Sequence, residues 1–189
     1  MALLGVGFYA GISSTSQDML STLDSYLDQT QAYDLQIQST LGLTKADVTS
    51  LEKLSDVASV QGIYAKDELI EPVARKTTRQ ENDETAIAKV IGVPKQLNKI
   101  TLVKGQLPQK DNEIVVEEAY LKKNKVKIGD SLKMNDPDLT NETYQIVGTV
   151  KSPLYFSKVH RGTTSLGDGR IDYFMYVKPS VFKQDMYSA

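Results

Sequence analysis

The chain has 189 residues, 40% of them hydrophobic and 24% charged, enough for one ordinary domain with a real core. Its net charge is −2 and its lysines and arginines are spread along the chain, which argues against nucleic acid as a partner, because a duplex-binding face needs them clustered. With no cysteine and one histidine, His160, the sequence excludes disulfides, thiol catalysis, cysteine-ligated metals and multi-histidine metal sites.

The first twelve residues, "MALLGVGFYAGI", are almost wholly apolar, and polarity begins at Ser13. The run is shorter than the roughly 20 residues a membrane-spanning helix needs. It also lacks the basic leader of a secretory signal. It reads either as a buried first element or as the outer end of a membrane helix. Ser14 and Gln17 have capping-box spacing for a helix start. The stripe Met19, Leu20, Leu23, Tyr26 and Leu27 then falls at helical period, which predicts a helix over 16–31.

"YDLQIQSTL", residues 33–41, alternates apolar and polar like a strand with one buried face. Thr44 as N-cap with Asp47 three residues on predicts a short helix carrying Val48, Leu51 and Leu54 on one face. Strand character returns over 57–73, so residues 33–73 read as a split β-α-β unit. Residues 74–85, "ARKTTRQENDET", are polar and without period, a hairpin tip or loop.

Short β elements follow. "TAIAKVIGVP" and "ITLVKGQLP" are strands closed by glycine and proline. "NEIVVEEAYLKKNKV" begins as a strand and becomes a short helix with Glu117, Glu118, Lys122 and Lys123. Residues 128–150 form a hairpin whose turn chemistry comes from Asp136, Pro137, Asp138 and Asn141. "RIDYFMYVKP" is a late strand stopped by Pro179.

The glycine-rich stretch from Gly162 to Gly169 has P-loop spacing between Gly162 and Gly167, but Asp168 stands where a lysine is required. A strand rather than a helix follows, so no helix dipole would meet a phosphate. The segment reads as a tight connection into that strand. His160 and Arg161 have Ser152, Ser157 and Ser165 nearby, without the nucleophile elbow that a catalytic serine sits on. The pairs Asp67/Glu68, Glu117/Glu118 and Asp136/Asp138 read as solvated surface. No catalytic, cofactor-binding or metal-ligating residue is assigned.

Several stretches, taken in order, resemble the extracytoplasmic domain of FtsX-like, MacB-like ABC transporter permeases of the Gram-positive type. They are "GVGFYAGISSTSQDMLSTLDSYLD", "DLQIQSTLGLTKADVTSLEKLSDVASVQGIYAKD", "VKGQLPQKDNEIVVEEAYLKKNKVKIGDSLKM", "YQIVGTVKSPLYFS" and "RGTTSLGDGRIDYFMYV", which together cover nearly the whole chain. The resemblance implies an α+β fold. Residues 1–33 would be the end of a membrane helix and a stalk helix. Residues 34–90 and 144–189 would make a mixed porter-like lobe leading to the next membrane segment, with 91–143 an inserted β-rich lobe.

The implied function is non-catalytic: an extracellular module coupling ATP hydrolysis, on a separate cytoplasmic ATPase subunit, to conformational change, export or partner regulation. The implied partners are that ATPase, a second permease unit or half, and an extracellular peptide, lipid or protein. Met19, Leu23, Tyr26 and Leu27 are the candidate stalk contacts, and Tyr155 and Phe156 are expected as exposed aromatics for partner contact. The alternatives are a substrate-capture module and, further off, an extracellular hydrolase around His160.

Overall fold

The computed structural model describes residues 15, 18–72, 86–155 and 161–189. Helix α1 covers residues 18–30, and two shorter helices follow, α2 (Lys45–Glu52) and α3 (Glu118–Asn124). Seven strands form one sheet: β1 (Ala65–Pro72), β2 (Ala86–Gly92), β3 (Thr101–Gly105), β4 (Glu113–Val116), β5 (Ser131–Met134), β6 (Thr143–Lys151) and β7 (Tyr173–Val177). A 3-10 turn, Pro179–Val181, ends β7 where the proline stop was expected. The class is mixed α+β, as the sequence implied.

The sheet runs β3-β6-β4-β7-β2-β1-β5, and β5 pairs again with β6. That second pairing, Ser131–Lys133 against Thr143–Gln145, closes every strand but β3 into a ring. β3 flanks the ring on the C-terminal half of β6. Strands from residues 91–143 thus alternate in one sheet with strands from either side. β3, β4 and β5 pair with β6, β7 and β1, and none of the three pairs with another.

Closure explains the burial pattern. "EIVV" of β4 and "YFMYV" of β7 are buried at every position, because one face lines the ring and the other is covered from outside. The inner cluster gathers Ile70, Val90, Ile114, Leu132, Ile146 and Met175, with Tyr120 from α3 among them. The outer cluster is Ile91, Val115, Val147, Val150, Phe174 and Tyr176.

β3 approaches β6 very closely. A Cβ on Gly148 would lie 2.6 Å from the Lys104 carbonyl oxygen and 2.7 Å from that of Gln106, both backbone atoms. Gly148→Ala should therefore cost about 1 to 3 kcal/mol and strip hydrogen-exchange protection from β3 first. An unchanged urea midpoint would mean that β3 can retreat without loss.

Two expectations are corrected here. The strand expected over 33–41 does not form: the segment is irregular, with Leu35 76% exposed and Ile37 42%. Alternation in sequence makes a strand only where a neighbour takes its hydrogen bonds, and no ladder reaches these residues. The split β-α-β unit is therefore absent, although α2 has the Thr44–Asp47 capping box that was read for it. No residue of α2 is buried, so the Val48, Leu51 and Leu54 face packs on no core. The strand expected over 57–73 is shorter, β1 starting only at Ala65, while β2 to β7 and α3 stand where periodicity and turn residues put them.

Candidate functional site: the joint between helix α1 and the sheet

Helix α1 ends in a left-handed residue, Gln31, with φ of 51°. Its N–H bonds to the Asp28 carbonyl at 3.0 Å, and the Ala32 N–H bonds to that of Leu27 at 2.9 Å, the paired bonds of a Schellman stop. The β2–β3 loop takes the next carbonyls at this end of the helix: Lys99 N–H donates to Thr30 at 2.8 Å and Asn98 N–H to Gln31 at 2.9 Å. The Asn98 side chain completes the grip, its Oδ1 accepting the Tyr33 N–H at 3.2 Å. Asn98 is buried and holds φ of 54°, a conformation asparagine tolerates better than most side chains.

The same loop is held from its other side. Gln61 Oε1 accepts three consecutive backbone N–H groups, from Lys95 at 3.0 Å, Gln96 at 2.6 Å and Leu97 at 3.3 Å. The joint thus consists of backbone groups fixed by two amide side chains, Asn98 and Gln61. Lone amides in polar surroundings carry no periodic signal, which is why sequence reasoning did not find them.

The α1 stripe divides along its length. Met19 is 68% exposed and Leu20 is also exposed, whereas Leu23, Tyr26 and Leu27 are half-buried. Among the described residues, Thr15, Asp18, Met19, Thr22, Leu23 and Tyr26 share one open face of the helix. Burial pushes the Tyr176 phenol up; its hydrogen bond with Ser152 opposes that, and the nearby Tyr26 adds to it.

Tyr155 is not the exposed aromatic that was expected. Its ring stacks on Phe174 at 4.8 Å and belongs to the outer cluster. Phe156 and His160 lie outside the described residues. Arg161 sits over the Phe174 ring at 5.8 Å and forks onto Glu117, with one bond at 2.9 Å, while its other arm also reaches the Asp172 carbonyl. From Arg161 the glycine-rich segment turns tightly into β7, with Thr163 bridged to Arg170 and Asp168 Oδ1 accepting the Arg170 N–H. The connection reading holds.

Reading the acid pairs as solvated surface is also corrected. Strand alternation turns Asp67 outward to Lys89, at 2.8 Å, and Glu68 inward, where it is 5% exposed. The β1–β5 register pairs Ile70 with Met134, and extending it sets Glu68 opposite Asp136 and Lys66 opposite Asp138. Lys66 bridges both aspartates, at 2.5 and 2.7 Å. Burial, and then the hydrogen bond to Asp136, push the Glu68 carboxyl up to about 8. Burial would raise Asp136 too, but the bonds from Glu68 and Lys66 outweigh it and hold it ionised below the usual carboxylate range. Among the described residues no group of histidines and carboxylates could hold a metal ion.

A family model described as the MacB-like periplasmic core domain matches residues 3–188. The chain belongs to that family. It is an extracytoplasmic domain of a MacB/FtsX-type ABC transporter permease. No curated protein matches it.

Among solved structures, the chain is similar to the extracellular domain of the noncanonic ABC-type transporter YknZ from Gram-positive bacteria. That likeness is 14% identical with a TM-score of 0.46 and covers 79% of this chain and 72% of that one. The periplasmic region of MacB from Actinobacillus actinomycetemcomitans is 16% identical with a TM-score of 0.41, covering 77% and 57%. A domain of a putative permease protein from Porphyromonas gingivalis is 11% identical with a TM-score of 0.38, covering 78% and 58%. The chain thus spans little more than half of the last two. Among the described residues of this MacB-like domain, no helix is long and apolar enough to cross a membrane.

Proposed function

We propose that this domain is a non-catalytic coupling module, and that α1 is its stalk. Movement originating at a separate cytoplasmic ATPase would arrive along α1 and pass to the sheet through the joint. The observation that carries this reading is the capping of Thr30 and Gln31 by Asn98 and Lys99, segments far apart in sequence. A helix end tied by directional bonds to the β2–β3 loop cannot rotate without moving that loop, whereas a helix held only by apolar contact can slide. The exposed end of the stripe, Met19 with Leu20, and the open helix face that includes Leu23 and Tyr26 are left for a second permease unit or an extracellular peptide, lipid or protein.

Asn98→Gly tests the joint, because glycine keeps the left-handed backbone and deletes only the side chain. Losing a part-buried hydrogen bond costs about 1 to 3 kcal/mol locally. Amide exchange at residues 30–33 should rise about tenfold or more. In the assembled transporter, transport should fall while basal ATPase activity stays. Full transport by a variant whose α1 end has demonstrably loosened would sink the coupling role. The isolated domain should show no heat of ATP binding by calorimetry, with or without magnesium.

A further inference from the structure

Residues 61–65 stand between the joint and the far end of the chain. Gln61 grips the β2–β3 loop, as described. Its neighbour Gly62 lies under the Tyr187 ring, so closely that a Cβ there would meet the ring at 2.4 Å. Ile63 donates to the Ala189 carbonyl and accepts from Ser188, both at 2.7 Å. The Ser188 hydroxyl bridges the Ala65 N–H at 3.0 Å and its carbonyl at 2.8 Å. Tyr64 stacks on Phe182 at 5.5 Å and meets the Tyr187 ring at a tilt, 4.8 Å away. Residues 187–189 are therefore strapped along 61–65 by backbone bonds, one hydroxyl and two ring contacts.

The strap holds a second segment. Leu43 and Tyr187 exchange both backbone bonds, at 2.9 and 2.8 Å. Residues 44–60, which carry α2, leave the fold at Leu43 and return at Gln61. One foot is gripped by the strap, and the other is the residue that grips the α1 joint. With no buried residue in α2, the position of this excursion is set by its feet.

We propose that residues 61–65 are a relay: a displacement of α1 is passed through Gln61 and Gly62 to the strap at 187–189, and both together position the α2 excursion. This deepens the coupling reading and rests on it for the origin of the movement. Side chains act here as positioning groups, Gln61 on the loop and the bare Cα of Gly62 on Tyr187. Gly62 is the sharpest element, because any side chain pries the ring away without touching the Gln61 amide.

The test is native-state hydrogen exchange on the full 189-residue chain, with Gly62→Ala, Ser188→Ala and Gln61→Ala compared with the parent. Gly62→Ala and Ser188→Ala should speed exchange at 43 and 187–189 about tenfold. Each should also speed it at least threefold at 30–33 and 98–99, on the far side of Gln61. Gln61→Ala should loosen 95–99 and, at a distance, 187–189. Gly148→Ala serves as the control, because it strains β3 on the flank of the ring. If it loosens 30–33 and 187–189 by the same factors, the remote effects are general destabilisation and the relay is wrong. Strictly local responses to the three variants overturn it as well. Either outcome leaves the joint standing, since that depends on Asn98→Gly in the assembled transporter.

Discussion

Arg161→Ala is expected to cost this domain about 3 to 5 kcal/mol, the range for removing one partner of a buried ion pair. The Arg161 and Glu117 side chains are 10% and 8% exposed, so the carboxylate left behind would have neither water nor a counter-charge. Glu117 is also the N-cap residue of α3, yet makes no side-chain cap bond, its carboxylate being engaged by the guanidinium. The loss would therefore propagate to the orientation of α3 and to Tyr120, which α3 packs in the inner cluster. Urea unfolding gives the number. Arg161→Met with Glu117→Leu should recover much of it, because an apolar pair of similar bulk carries no desolvation penalty. A single Arg161→Ala variant with an unshifted midpoint would show that water reaches Glu117 freely.

The second large effect is a pH dependence with an unusual sign. Glu68 takes up its proton near pH 8 in the folded domain, against 4.5 when unfolded. Between those values the folded state binds more protons than the unfolded one, so stability falls as pH rises. The contribution is complete below about pH 4.5 and is lost as pH passes 8. Asp136 works the other way: its depressed value makes its own contribution present above the ordinary aspartate range and lost in acid. The groups facing Glu68 are Lys66 on its own strand, Asp136 and Asp138 from the β5–β6 turn, and Tyr144 from β6. Between pH 5 and pH 8 the domain should lose on the order of 2 to 4 kcal/mol, and Glu68→Gln should flatten that slope. A wild-type stability curve that rises across this interval would show that Glu68 ionises normally and that the pair does not share a proton.

Much of this architecture is legible in the chain. "EIVV", "YFMYV" and "AIAKVIG" have the length and β-branched or aromatic content of buried strands, and their bounds fall where glycine, proline and aspartate end them. Thr44 and Asp47 mark the start of α2 because capping is a contact between residues three apart. Asp168 and the strand after it rule out a phosphate loop at Gly162–Gly169 for equally local reasons. Family membership was legible too, since it rests on the order of many short stretches, each weak alone.

What failed or stayed hidden depended on neighbours. "YDLQIQSTL" alternates as well as any strand here, but no partner edge reaches it, so the pattern lies unused on the surface. Asp67 and Glu68 are equally polar in sequence, and only the closing of the sheet puts one outside and the other inside. Asn98 and Gln61 are single amides whose side chains accept from backbone groups 34 to 65 residues away, as with Gln61 from Lys95 and Asn98 from Tyr33. The sequence by itself determined strands β2 to β7, the cap of α2, the stop at Pro179 and the family, all set by contacts within a few residues or by ordered motifs; the Ser14–Gln17 cap lies outside the described residues. Tertiary structure alone decided the ring, the buried charges and the joint, because each requires two distant segments to meet, and nothing local in either one records the other.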